Sequence, residues 1–160
     1  MMYDRILVPL DGSKRAEMIR PHVRELASRF QATVILIAVV EPMTYADGMG
    51  ETFPVISEEA VKAKIDQAQK YLDGVAAKLR DKGIACKELV SRGPVVESII
   101  RAAEAEEADL IAMTSHGHGG LTRLFYGSVA AGILNRVETP LFIVRSRWSG
   151  LNKKQLAGNV

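Results

Sequence analysis

Cysteine is nearly missing from this 160-residue chain. The single Cys86 excludes an intramolecular disulfide, and its place inside an apolar segment suits a small packing residue rather than a nucleophile. Long apolar runs are missing too: the longest, from Ala32 to Val40, is about half of the ~20 residues that a membrane span needs. Neither sign of charge dominates, because 21 basic and 19 acidic residues are interleaved for a formal net charge of +2. No basic stripe forms that would track nucleic-acid phosphates, so neither nucleic acid nor membrane is an expected partner. The opening MMYDRILVPLDGS has an acid at Asp4 and no small-residue cleavage site, which leads to the expectation of a soluble, cytoplasmic protein. Internal repeats, low-complexity segments and a P-loop Lys-Ser/Thr pair are absent as well.

What is present is an alternation. A chain of 17.5 kDa is long enough to bury one sizeable core, and residues 1–146 read as one domain followed by a loosely held polar tail, 147–160. Arg5 to Leu10 and Thr33 to Val40 are apolar on successive residues, as strands covered on both faces are. Between them Ala16, Ile19, Val23, Leu26 and Phe30 recur by three and four, the stripe of a helix, with Pro21 predicting a kink or a true start near that residue. Glu41 to Ser57 is a connection far longer than usual, expected to be a lid or an insertion disordered without ligand. Ser57, followed by two acids, caps a helix whose stripe runs Val61, Ile65, Ala68, Leu72, Val75 and Leu79 until Gly83 stops it. Ile84 to Ser91 mixes charge with apolar residues, as a strand near a sheet edge does. Gly93-Pro94 opens a third helix with Val96, Ile99 and Ala103 facing inward. Asp109 to Met113 is a strand, Val129 to Val137 a helix, and Leu141 to Val144 a last buried strand. Five strands and four helices in alternation make an α/β fold: a parallel sheet with helices on both faces.

Two loops carry chemistry. Asp11-Gly12-Ser13 follows the first strand, where open α/β sheets place ligand contacts, although the same triplet is also ordinary turn and capping chemistry. The stretch 114–128 holds Gly117, Gly119, Gly120 and Gly127 and closes on Ser128 at a helix N-terminus. Unpaired N–H groups and the helix dipole favour anions there, and glycines let backbone approach a ligand closely, so the loop reads as a phosphate cradle. His116 and His118 lack a third ligand nearby, which makes them a weak metal site and points to a loop-structuring role. If the first and fourth strands are neighbours, both loops line one crevice.

RILVPLDGS, the AVVEP after the second strand, the GP before the third helix, and DLIAMTSHGHGG to LFYGSVA together resemble the universal stress protein family along nearly the whole ordered length. The family's nucleotide motif is Gly, two residues, Gly, nine residues, Gly, Ser or Thr. Gly117 and Gly127-Ser128 match its later elements with the right spacing, while Thr114 stands where the first glycine belongs. The resemblance implies a Rossmann-like sheet of order 3-2-1-4-5 and a homodimer through the last strand, Leu141 to Val144. It also implies bound ATP with Mg2+ or Mn2+ held mainly by the phosphates. Pro9 and Asp11 would flank adenosine, Asp11 accepting from ribose hydroxyls, and Val39 would contact adenine. Met113, Thr114, His116 and Gly117 would line the ribose and phosphate path, with Gly127, Ser128, Val129 and Ala130 on the phosphates. The expected role is non-enzymatic regulation in stress adaptation, with nucleotide occupancy ordering 114–128. The alternatives are a member that has lost nucleotide binding and acts through protein interaction, or a slow ATPase for which Asp11 is the one candidate base. A receiver-like domain is excluded because Ser91, not Asp, ends the third strand, and a flavin would declare itself by colour.

Overall fold

A computed structural model of the protein describes residues 2–42, 44–46, 52–54, 57–116 and 127–146. The main-sheet strands are β1 (Arg5–Pro9), β2 (Thr33–Val40), β5 (Cys86–Arg92), β6 (Leu110–His116) and β7 (Leu141–Ser146). They pair in parallel in the order β5-β2-β1-β6-β7, which is 3-2-1-4-5 once the short hairpin strands β3 (Thr44–Ala46) and β4 (Thr52–Pro54) are set aside. The expected order and the edge position of the Ile84 to Ser91 strand are therefore both observed.

Alternation along each strand splits the core in two. Ile6, Val8, Val34, Leu36, Leu110 and Ala112 pack under α1 (Arg20–Phe30) and α2 (Glu58–Arg80), together with Val23, Leu72, Ala76 and Leu79. Leu7, Ile35, Ile37, Ile111 and Met113 face the other way, against Ile99, Ala103, Ala130 and Ile133 of α3 (Val95–Ala105) and α4 (Ser128–Leu134). Helices on both faces follow from crossovers of one hand running in opposite directions from β1.

Local chemistry explains most boundaries. Pro21 sits in the first turn of α1, preceded by a 3-10 turn, Ala16–Ile19, so the proline starts the α-helix rather than kinking it. Ser57 Oγ accepts from Ala60 N at 3.3 Å. At the other end of α2, Gly83 N donates to Arg80 O and Ile84 N to Leu79 O, a Schellman stop with Gly83 at φ 76°. The same pair of closures ends α3 at Glu107, while α1 ends at Gln31 with both Gln31 N and Ala32 N donating to Ala27 O; Gln31 and Glu107 are non-glycine residues held at positive φ.

Three expectations are corrected. The connection 41–57 is not featureless, since Thr44–Ala46 pairs antiparallel with Thr52–Pro54; the rest of it, 43, 47–51 and 55–56, lies outside the described residues. The fourth main strand does not stop at Met113. Thr114, Ser115 and His116 continue it, because β7 runs on to Ser146 and supplies partners regardless of side-chain polarity. The last helix begins at Ser128 and ends at Leu134, leaving Val137 beyond it yet packed on the core. The tail 147–160 lies outside the described residues.

Candidate functional site

β1 and β6 are neighbours, but they pair only at Ile6–Leu110 and Leu7–Ile111. In a parallel ladder the N–H and C=O of one residue face the same neighbour, and successive residues face opposite ones. Leu10 N donates to Ile37 O of β2 and Asp109 N to Arg5 O, so Arg5, Leu7 and residue 9 face β6. Residue 9 is proline, which has no N–H to donate. The ladder ends there, β6 runs on toward His116 without β1, and the two strands part. At their feet they are clasped: the Asp109 carboxylate accepts from Asp4 N at 2.7 Å and from Arg5 N at 3.2 Å.

The parting opens a crevice of about 290 Å³ at the carboxyl ends of the strands. It lies where the winding direction reverses, the position at which open α/β sheets bind ligands. Nine of the residues expected at the site line it: Pro9 and Asp11 from the end of β1, Val39 from β2, Met113 and Thr114 from β6, and Gly127, Ser128, Val129 and Ala130 from the start of α4. His116 ends β6 opposite Ser146; its side chain, and Gly117, His118 and Arg123, lie outside the described residues. Thr114 shares the strand face of Leu110 and Ala112, toward the 3-10 turn and away from α3 and α4.

Six lining residues escaped the sequence reading: Leu10, Ala16, Ile37, Glu41, Val95 and Ile99. Ile99 reads in the sequence as ordinary helix core and Val95 falls outside the inward stripe; the signal that could have found Val95 is the proline at the N-cap of α3, which makes it the first residue of a helix that starts at the carboxyl end of β5. With Ile37, Val39 and Met113 they form an apolar slot. At its mouth stand two carboxylates, Asp11 and Glu41, and no lysine, arginine or histidine among the described lining residues. Asp11 Oδ1 accepts from Ser13 N at 2.9 Å, closing the turn, and Ser13 Oγ accepts from Ala16 N at 3.1 Å. Gly127 enters α4 with φ 78°, and among the described residues no side chain caps the first-turn N–H groups of that helix.

The turn carrying Ala16 is pinned from behind. Tyr71 Oη donates to Glu17 Oε1 at 3.1 Å, and Glu17 Oε2 pairs with Arg20 Nη1 at 3.1 Å. Burial first, and the neighbouring Glu17 charge second, push the Tyr71 phenol above its ordinary pKa. Cys86 lies far from this chemistry, half-buried on β5, and burial pushes its thiol up to about 11, so it stays a packing residue at neutral pH.

The Universal stress protein family matches residues 2–145 of the chain. The chain belongs to that family. Universal stress protein MJ0577 of Methanocaldococcus jannaschii is 25% identical over 158 residues, covering 92% of this chain and 98% of the relative. A universal stress protein of Thermus aquaticus is 30% identical over 145 residues, covering 90% and 100%. The solved MJ0577 structure superposes with a TM-score of 0.71 at 26% identity, over 93% of this chain and all of that one. A universal stress protein of Archaeoglobus fulgidus in complex with dAMP shares the fold at 20% identity, with a TM-score of 0.60 over 89% and 98% of the two chains. No described helix is long and apolar enough to cross a membrane.

Proposed function

We infer that this universal stress protein binds an adenine nucleotide, ATP in the first instance, in the crevice between β1 and β6 and acts as a regulatory protein rather than an enzyme. The observation that carries the reading is the crevice itself, an apolar slot with carboxylates at its mouth and an uncapped helix start at its far wall. A flat base suits the slot of Val39, Val95 and Ile99. Asp11, with one oxygen engaged by Ser13 N, has the other to accept from a ribose hydroxyl. The start of α4 offers backbone donors to phosphate. Because the described lining carries carboxylates and no cation, a triphosphate needs its own divalent ion. The described residues hold no group of three or more His, Cys, Asp or Glu that could bind one, so Mg2+ or Mn2+ would ride mainly on the phosphates. The dAMP-bound Archaeoglobus neighbour supports the ligand class through fold. Calorimetric titration of nucleotide-free protein with ATP, with and without magnesium and against AMP and GTP, tests the reading. Magnesium-dependent micromolar binding of ATP is expected, and an absence of heat for every adenine nucleotide overturns it.

One observation favours a second reading, a member that works by protein interaction alone. Thr114 lines the crevice at the family motif's first glycine position. Binding that appears only in Thr114→Gly would select this reading. A homodimer through β7 fits either: Leu141, Phe142, Ile143 and Val144 are only partly buried on an edge strand, the kind of edge that proteins pair or cover.

A further inference from the structure

Among the described residues two glycines stand inside helices, and their surroundings are opposite. A Cβ on Gly74 of α2 would meet nothing within 4 Å. A Cβ on Gly132 of α4 would lie 2.8 Å from Cγ2 and 3.2 Å from Cγ1 of Val96 on α3. Valine in a helix is held to essentially one rotamer, so those methyl groups do not swing aside. The bare backbone of Gly132 is therefore what allows α4 to approach α3 this closely. Just beyond the end of α4, Arg136 Nη1 donates to Glu97 Oε1 of α3, so the contact is fastened near the point where it is closest.

The two helices joined in this way both contribute to the lining of the crevice. Val95 and Ile99 flank Val96 on α3, and Gly127, Ser128, Val129 and Ala130 lead into Gly132 on α4. Resting on the nucleotide reading above, we propose that Gly132 and Val96 act as a gauge that sets the width of the crevice. The pair thereby sets the distance between the apolar slot and the backbone donors at the start of α4, although neither residue lines the crevice. Both are positioning residues. An ordinary carbon contact of about 3.5–4.0 Å in place of 2.8 Å displaces α4 by about 1 Å. A ligand gripped at both ends, by the slot and by the N–H groups, cannot follow such a shift without loosening one grip. An occupant held at one end only would not register it.

The test compares Gly132→Ala, Gly74→Ala and the double variant Gly132→Ala/Val96→Ala in magnesium-ATP titration, with a crystal structure of each. Gly132→Ala is expected to weaken binding about tenfold or more and to move α4 outward. Gly74→Ala bears the same helix-propensity change without the contact and should bind like the parent, while the double variant should recover most of the loss. A Gly132→Ala protein that binds like the parent, or whose α4 has not moved, overturns the proposal. So does a loss that Val96→Ala fails to rescue, which is what a general loss of packing would give. Should Gly132→Ala not fold, Val96→Ala alone probes the pair from the other side: α4 should move inward with changed affinity, and an unmoved helix overturns the gauge. If the parent binds no adenine nucleotide, the functional reading fails while the position of α4 in the variants still decides this inference.

Discussion

The two faces of the sheet are built for different ends. Under α1 and α2 the apolar layer continues from Ala32 and Ile84 at one end of the strands to Leu10 and Ile19 at the other, a core closed except at its rim, where Leu10 borders the crevice. Under α3 and α4 it stops short: α4 has seven residues against 23 in α2, and at the carboxyl ends the layer gives way to the crevice. One face holds the fold together and the other spends part of its packing on an opening. A site needs a rigid surround, and here the surround is the opposite face of the same five strands.

Leu36 and Ile37 separate the two roles most sharply, being neighbours on β2, each 1% exposed, on opposite faces. Leu36→Ala leaves a void in a closed core and should cost about 2–5 kcal/mol in urea unfolding. Ile37 already borders the crevice, so Ile37→Ala should cost clearly less stability while weakening ATP binding, which Leu36→Ala should leave nearly unchanged among folded molecules. Equal losses in both assays would abolish the distinction between the faces. The polar ties give the next contrast. On the closed face Tyr71→Phe removes a half-buried hydrogen bond to Glu17 and should cost about 1 kcal/mol by thermal unfolding.

Helix ends come next in size. Gln31, at φ 54° after α1, takes a conformation that glycine adopts freely, so Gln31→Gly should stabilise by about 0.5–1 kcal/mol. Glu107→Gly after α3 should yield less, because it also removes the ion pair with Arg5 Nη1. The smallest effect belongs to the crevice face's exposed tie. Hydrogen bonding from Arg136 holds the Glu97 carboxyl below the ordinary carboxylate range. A depressed folded-state pKa means stability present above the ordinary value of about 4.5 and lost as pH falls through the lower, folded-state one. Glu97→Gln should flatten that part of the acid-unfolding profile, and salt should shrink the difference.

Much of this was legible in the chain. Thr33 to Val40 is β2 to the residue, Pro21 marks the start of α1 and Gly83 the end of α2, because buried strands and helix caps write themselves in apolar runs and special residues. What stayed hidden depends on partners distant in sequence. Thr114 to His116 belong to β6 because β7 lies beside them, not because of their polarity. Val95 and Ile99 serve the crevice because α3 is aimed there, and Gly132 is meaningful only opposite Val96. The family resemblance implies Pro9 only as a ligand contact, yet its missing N–H also opens the space that the ligand would fill.

The clasp at Asp109 gives that opening leverage. Thr114 lies three residues beyond Ile111, the last β6 residue paired with β1, roughly 10 Å at ~3.3 Å per residue. With β1 and β6 joined only from that clasp to Ile111, a tilt of about 6° there swings the rim by about an ångström. The sheet is in effect a pair of tweezers hinged at one end, so residues at the hinge, remote from any ligand, govern how firmly the tips can grip.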